Sequence, residues 1–510
     1  MNEAKPRTST KWLRLSPLEI ALFVAACGGS GTPTPAPVPI SVSVSSASSI
    51  VQANTTVQLQ AAVKNSSSQE VTWAITQPAG TGSITPMGLY SAPAIVDETM
   101  DVEITATSVA DPTKSASVKI TVFAAPAIAV RQNNGRGEFY ATRDAALFVP
   151  RGNNYMRFNP SMVRVLYGQV GYGFSTLNST LYDPVRTEQA FAAMETEGYN
   201  VVRVFIAILQ VGDIGNDSGP GLSKKYVANL ADFMTRAKAH HIYVLPAFEE
   251  LPMAGGYRDF ITDDLETNFG THNIQFLTQP GIDACRKFWQ DLVQALVAAH
   301  APMDALFAYE LVGEFAILND LPPMDKTSGT IQTANGSTYD LADPVARVAL
   351  QDDNMVFYAK AMRDAIRSLN PNAIAVMGFF SYNGTNPPPF PAIANSDVDF
   401  IDLHGWPDTS GTTIEQLVAN WQVNGDLRKP IIMGEYDGFV DVFPTTTQAA
   451  DGLKAWQIAS CSAGFSGWIL WTWDTEQNEL PGWNTWSALS GNGEINHALA
   501  PIYRPNPCSN

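Results

Sequence analysis

The sequence predicts an α/β fold, a (β/α)8 TIM barrel preceded by a small all-β sandwich, and three observations predict it. From about residue 128 onward, short continuous apolar runs alternate with amphipathic helical stretches, the texture of a parallel sheet covered on both faces. The runs number eight, and no Gly-rich first turn of the kind that opens a doubly wound sheet accompanies them. Before them, residues 40–122 alternate apolar and polar positions with a period of two, as strands with one wet face do.

Residues 1–27 read as a targeting segment. Lys5, Arg7, Lys11 and Arg14 precede a short apolar run, Ile20 to Ala26, that ends Val24-Ala25-Ala26-Cys27 before Gly28-Gly29-Ser30. Basic residues stay at the cytoplasmic face, the apolar run engages the translocon, small residues admit a peptidase, and a cysteine can carry lipid. The order resembles a bacterial lipoprotein signal, which implies lipidation at Cys27, an outer-leaflet membrane anchor and a cell-surface or periplasmic protein. The alternatives are a secreted product, or a soluble tail in which Cys27 is incidental. The run is too short to span a bilayer, which needs about 20 residues. Residues 28–39, GGSGTPTPAPVP, are a tether by composition, semi-extended in polyproline II.

The module at 40–124 places Ile40, Val42 and Val44, then Val57, Leu59, Ala61 and Val63, then Val71, Trp73 and Ile75 on one face. Six or seven such runs fit a sandwich. The segment 82–93, GSITPMGLYSAP, resembles a corner of bacterial immunoglobulin-like domains. Trp73 falls on the inward phase and is expected in the core; only Tyr90 accompanies it, too few aromatics for a sugar platform. The module is expected to act as a spacer or adhesion unit.

After a boundary at Ala124 to Ala127, the barrel is expected over 128–507. Its apolar runs are Leu147 to Tyr155, Val201 to Ile206, Tyr243 to Phe248, Leu306 to Val312, Ile374 to Phe379, Val398 to Leu403, Pro430 to Met433 and Phe465 to Trp471. The helical stretches between them include Gln189 to Glu197, Lys225 to Ala239, Asp283 to Ala298, Asp353 to Ser368 and Gln448 to Ser460.

Composition removes several classes of function. Among 510 residues, acidic groups outnumber basic ones 49 to 31, and the net charge of −18 argues against nucleic acid as a partner. Four cysteines and six scattered histidines give neither paired zinc spacing nor an HExxH helix, and no phosphate-binding glycine loop is found, so neither a metal nor a cofactor is expected. A monomer is expected.

In a barrel, chemistry collects where strands end. Those positions hold Asn154, Arg203, Glu249, Glu314, Tyr382, His404, Trp406, Glu435, Trp471 and Trp473. Glu314 closes FAYELVGE and Glu435 closes PIIMGE. Two carboxyls facing each other across a barrel mouth are what glycosidic cleavage needs, one to protonate the leaving oxygen and one to attack or stabilise the sugar cation. The indoles of Trp406, Trp471 and Trp473 offer flat walls for pyranose faces.

These residues resemble glycoside hydrolase family 5 and its clan of retaining barrel enzymes. The likeness runs through RGNNY at 151–155, GYNVVRV at 198–204, YELVGE at 309–314, HGW at 404–406, GE at 434–435 and WTWD at 471–474. It implies a carbohydrate substrate, a β-linked glucan or mannan cut by endo action, and double displacement with retention. It makes Glu435 the nucleophile, Glu314 the acid/base, Arg203 and His404 organisers of the nucleophile, and Trp471 the sugar floor. A raised pKa on Glu314, a low one on Glu435 held by Arg203, and a carboxyl separation of about 5 to 5.5 Å are expected.

Three positions depart from the family. Gly313 stands where the family has Asn, Glu249 where it has His after strand three, and Trp406 where it has Tyr in strand six, leaving Tyr382 or Tyr436 to supply that hydroxyl. Gly313 is expected to open room for an unusual C2 group, and Glu249 to add negative charge suited to a polar or cationic sugar. Glu310 is expected to be a buried, paired structural carboxylate, Trp468 to pack under helices, and Trp483 and Trp486 to be subsite walls or loop core. His240, His241, His272, His300 and His497 are expected to be solvated. One bridge among Cys285, Cys461 and Cys508, such as Cys461 to Cys508, fits an oxidising compartment, with connectivity left open. A carbohydrate-binding pseudoenzyme and a surface adhesin with an inactive barrel are the alternatives.

Overall fold

The computed structural model describes residues 38–509 apart from 167–168, 175, 209–212, 381–391, 422, 424–427 and 475–483. Cys27, Tyr382 and Trp483, singled out above, lie outside the described residues.

The period-two segment forms two four-stranded sheets, one ordered Ser41–Ser46, Thr56–Lys64, Leu89–Ser91, Ser83–Ile84 and the other Ile50–Gln52, Ser115–Phe123, Met100–Ser108, Val71–Gln77. Val57, Leu59, Tyr90, Val102, Ile104, Ile120 and Val122 fill the space between them, with Trp73 packed against this core as its phase predicts.

Eight parallel strands close a barrel: β1 (Arg151–Asn154), β2 (Val201–Ile208), β3 (Tyr243–Glu250), β4 (Tyr309–Glu310), β5 (Ala375–Val376, resuming at Gly378–Phe380), β6 (Ile401–His404), β7 (Ile431–Tyr436) and β8 (Phe465–Leu470). Closure runs through β5, whose first half pairs with β4 and whose second half pairs with β6, while β8 pairs with both β7 and β1. The expected first run splits. Leu147–Phe148 joins Ile128–Asn133 and Arg136–Ala141 in a separate antiparallel sheet, and only Arg151–Asn154 enters the barrel. Pro150 precedes the barrel strand and Gly152 lets it close, because a Cβ there would stand 2.0 Å from the Val201 carbonyl oxygen. The antiparallel sheet plugs the barrel floor, where Ile128 and Phe139 meet Val201, Leu245, Phe307, Phe400, Ile432 and Ile469.

The main outer helices are α1 (Pro184–Thr196), α2 (Lys224–Ala239), α3 (Gln279–Ala298), α4 (Pro344–Arg367), α5 (Ile414–Asn420) and α6 (Thr446–Ser462). Each starts where a side chain accepts from the first-turn amides: Asp183, Ser223, Thr278, Asp343, Thr413 and Thr445. Helix α4 begins nine residues before the expected Asp353 because Asp343 and Pro344 supply the cap and the first position. Cys461 of α6 is bridged to Cys508, and Cys285 is free and buried. Among the described residues no helix is long and apolar enough to cross a membrane.

The sandwich is joined to the barrel's side by buried contacts. Ile50 and Phe123 belong to the same apolar cluster as the barrel helices. Gln52 donates to Asn370 Oδ1 and accepts from Asn372 Nδ2 at 2.6 Å, and Asn370 Nδ2 donates to the Tyr309 hydroxyl at 3.2 Å.

Candidate active site

Alternation along the barrel strands turns Asn154, Arg203, Glu310, Asp402 and Glu435 inward. Arg203 is the hub. Its Nε and Nη2 donate to Glu310 at 2.5 and 2.8 Å, and its Nη1 donates to Glu435 Oε1 at 2.5 Å and to Asn154 Oδ1 at 2.9 Å. Both Arg203 and Glu310 are fully buried, and their fork-to-fork pair fixes the guanidinium so that Nη1 faces Glu435 on β7.

Glu314 follows β4 and Glu435 sits on β7, and His404 lies between them. His404 Nδ1 is 2.9 Å from Glu314 Oε1 and 3.5 Å from Glu435 Oε2. One oxygen from each carboxyl and the histidine nitrogen all fall within 4.8 Å of one another. The Glu314 side chain is 39% exposed to the cleft, while that of Glu435 is 6% exposed and held from behind by Arg203.

Desolvation by the walls of the cleft pushes Glu314 up to about 7, with Arg203 opposing. Burial also pushes Glu435 up to about 7, although His404 and Arg203 both favour its anion. The expectation of a low Glu435 is corrected: Arg203 spends two of its donors on Glu310, so Glu435 receives only part of the charge. Glu249 and Asp402 are driven well above the usual carboxylate range, by burial first and then by neighbouring carboxylates. Burial lowers His404, which is therefore a neutral imidazole. Ligand atoms of Glu314, His404 and Glu435, and separately of Glu310, Asp402 and His404, converge as a cation's ligands could. Arg203 already donates to Glu310 and Glu435, so the arrangement suits shared protons better than a metal ion.

The structure reassigns several residues. Asn154 is fully buried and spends its amide inside the protein, accepting from Arg203 and donating to Gly434 O at 3.1 Å and Leu470 O at 3.3 Å, so it braces Arg203 and does not reach a sugar. Trp473 is also core, its ring edge-on against Tyr199 and its backbone N–H donating to the Asn154 carbonyl at 3.0 Å. Trp471 and the half-buried Trp406 stay at the mouth, their rings 5.8 Å apart and near-perpendicular, with Phe205 against Trp471. Tyr436 points outward toward Gln457 of α6 and the Arg151 and Arg504 side chains, away from Glu435. The room expected at Gly313 is occupied, because a Cβ on Gly313 would meet Glu249 Oε1 at 2.0 Å and Arg203 Nη2 at 2.7 Å. Burial and the neighbouring carboxylates also disfavour the negative charge expected of Glu249.

Trp468 is buried and donates to Ser460 of α6, and Trp486 is loop core, donating to Phe443 O at 2.8 Å. His240 is clasped by Glu188 and Glu195, and His272 by Glu250 and Ala316 O, so neither is simply solvated. Sequence reasoning missed Asp402, whose signal is a carboxylate inside an apolar run two residues before His404. It also missed Arg157, which clamps Asp474 beyond β8 at 2.5 and 2.8 Å.

No protein-family model and no curated protein matches the sequence. Among solved structures, the chain is similar to an endo-1,4-β-mannanase from Rhizomucor miehei, at 17% identity over 74% of this chain and 99% of that one, TM-score 0.50. It is similar to an exo-β-1,4-mannosidase from Opitutaceae bacterium strain TAV5, at 15% identity over 72% of this chain and 58% of that one, TM-score 0.44. A Bacteroides ovatus GH5 xyloglucanase aligns at 12% identity over 90% of this chain and 100% of that one, TM-score 0.41. The first likeness establishes the fold, a (β/α)8 barrel.

Proposed function

We propose that the chain is a retaining glycoside hydrolase of family 5 acting on β-linked glucan or mannan, with Glu435 as nucleophile and Glu314 as acid/base. The observation that carries this reading is the close approach of the two carboxyls, one oxygen of each within 4.8 Å across the C-terminal mouth of the barrel. Retaining sites hold their carboxyls about 5–5.5 Å apart, whereas inverting sites leave about 6.5–9.5 Å for a water. The likeness to the mannanase fold supports the same reading.

The two groups share one proton near neutrality, and their surroundings decide its place. Glu435 accepts from Arg203 and stays ionised, while Glu314, without a cationic hydrogen-bond partner among the described residues, keeps the proton. Glu435 attacks the anomeric carbon as Glu314 protonates the departing glycosidic oxygen; Glu314, now an anion, then takes a proton from the water that opens the glycosyl ester. Trp406 and Trp471 supply the apolar wall. The chain acts as a monomer, exported and anchored to an outer leaflet through lipid on Cys27.

The test is a screen of mannan, β-glucan and xyloglucan with anomeric NMR of the first product. Initial release of the β anomer is expected, with Glu314→Gln costing about 10²–10⁴-fold in turnover and Glu435→Gln costing more, because nothing replaces the nucleophile. Initial release of the α anomer would refute the assignment. Cys27→Ser is expected to move the protein from the membrane to the soluble fraction.

A further inference from the structure

The two indoles left at the mouth are held in different ways. Trp471 is 7% exposed and set among Met156, Phe205 and Ala247, so the barrel core fixes its ring. Trp406 is half-buried and packs against that group from outside. Its second ring neighbour is Phe439, in the segment after β7, with centroids 5.1 Å apart and planes tilted by only 30°. Rings this close and this nearly parallel overlap face on face, because two rings lying side by side could not approach to that distance. The Trp471 ring stands instead at 69° to Trp406. The backbone under Phe439 is pinned: its carbonyl accepts from the Val442 and Phe443 N–H groups at 3.1 and 2.8 Å, and it forms an antiparallel bridge with Thr485. On either side, the Val440 N–H donates to Asn484 O at 2.7 Å and the Trp486 N–H to Gly438 O at 3.0 Å. Gly405, just before Trp406, donates to Glu435 O at 3.0 Å and accepts from the Trp456 indole at 2.9 Å. Two segments, each fixed by its own hydrogen bonds, thus hold the two rings against each other.

We infer that Phe439 is a positioning residue that fixes the plane of Trp406 and restricts sugar stacking to the indole face turned away from Phe439. Its effect on substrate rests on the glycosidase reading, which seats the sugar on Trp406 and Trp471. An indole free to turn about its side-chain bonds loses that freedom when a sugar stacks on it, so a ring set in advance binds more tightly. The half-exposed Trp406 lacks the enclosing core that sets Trp471, and Phe439 supplies the missing support through an overlapping ring. The place in the wall expected of Trp473 is thus taken by a ring from the segment after β7, which acts through Trp406 rather than on the sugar.

The test has one arm without substrate and one with it. In the full chain labelled with 5-fluorotryptophan, the eleven tryptophans give ¹⁹F signals, and Trp406→Leu identifies one of them by its loss. Phe439→Leu keeps apolar bulk and removes the ring, so it is expected to shift the Trp406 signal further than the others. A Trp406 signal that stays in place, or moves no further than the rest, would overturn the inference. On mannohexaose or cellohexaose, Phe439→Leu is expected to raise KM about 2- to 12-fold, the worth of one aromatic pair. Its kcat is expected to stay within about threefold of wild type, as when binding common to ground and transition states is lost. Phe439→Tyr, which keeps the ring, should keep the wild-type KM. In a Trp406→Leu background, Phe439→Leu should leave KM where it is, because the ring it holds is gone. Equal effects in both backgrounds would show Phe439 working independently of Trp406 and would overturn the inference, as would a wild-type KM in Phe439→Leu alone. Circular dichroism melting confirms that each variant is folded, and if Phe439→Leu does not fold, Phe439→Met, equally without a ring, takes its place. If wild type hydrolyses neither hexasaccharide, the activity reading fails, while the fluorine arm still decides whether Phe439 positions Trp406.

Discussion

Arg203 stands among the carboxyls of Glu249, Glu310, Glu314, Asp402 and Glu435, and this surplus of acids over cations sets how the mouth titrates. In the proposed mechanism Glu314 holds a proton, which it loses as pH rises through about 7, and Glu435 is ionised, which it ceases to be as pH falls through about 7. The kcat/KM profile on an aryl β-glycoside is therefore expected to be a narrow bell centred near neutrality. A plateau extending well into the acid range would mean that Glu435 is held low after all.

The contact between Glu249 and the Gly313 position gives a second residue-scale prediction. Gly313→Asn alone should lose activity by displacing Glu249 and pressing on Arg203, and Glu249→Ala should recover part of that loss by vacating the space. A cycle of kcat/KM values across the four proteins should show coupling of roughly 1–3 kcal/mol, and strict additivity would mean that the two positions do not compete. Glu314, Glu435, Arg203 and His404 were legible in the sequence because each interrupts or ends an apolar run. The Glu249–Gly313 contact was not, because it depends on the register of β3 against β4. Trp473 was misread for a related reason: it follows Trp471 by two, but the strand ends at Leu470, after which a period of two no longer predicts direction.

At the scale of elements, the eight strands and most helices could be read from period and run length, while their ends could not. Apolar runs continue past the hydrogen-bonded ladder where the chain still packs inward, so Leu306 to Val312 contains only Tyr309–Glu310 as strand. Pro150 and the antiparallel partner Tyr140 take Leu147 out of the barrel, a competition between sheets that a single run does not reveal. The two-part β5 has a steric consequence. A Cβ on Gly378 would stand 1.9 Å from the Gly313 carbonyl oxygen, a backbone atom that cannot swing aside, and close to His404 Nε2 as well. Gly378→Ala is expected to cost roughly 1–3 kcal/mol in urea denaturation and to lower kcat beyond that loss by shifting β4 against β6. Wild-type stability in this variant would mean that the strands have slack the geometry does not display.

At the scale of the whole molecule, the sequence reads the sandwich as a spacer, yet the structure ties it into the barrel by a polar chain that ends beside the site. Gln52 on the sandwich strand Ile50–Gln52 reaches Asn370 and Asn372 after α4, and Asn370 reaches Tyr309, the residue before Glu310. Gln52, Asn370 and Tyr309 are all about 1% exposed, so the chain is sealed from water. Composition hides this, because Gln52 in an alternating strand looks like any wet-face residue, and only docking against the helices turns that face inward. Gln52→Ala removes the side chain that both asparagines use and leaves the Oδ1 of the buried Asn370 without its donor, while the exposed Asn372 turns to solvent, an expected loss of about 1–3 kcal/mol. If the sandwich and barrel behave as one cooperative body, calorimetry should show a single transition that moves down as a whole in Gln52→Ala. A spacer hinged on the barrel would instead show two transitions, with the substitution shifting one or neither. The bridge from Cys461 to Cys508 acts on the same body from the other end, closing a loop of 47 residues, so reduction with alkylation should destabilise that transition by about 4 kcal/mol at most. Combined with Gln52→Ala, the two losses should add, since one fixes the sandwich to the end of α4 and the other fixes the C-terminal tail to α6.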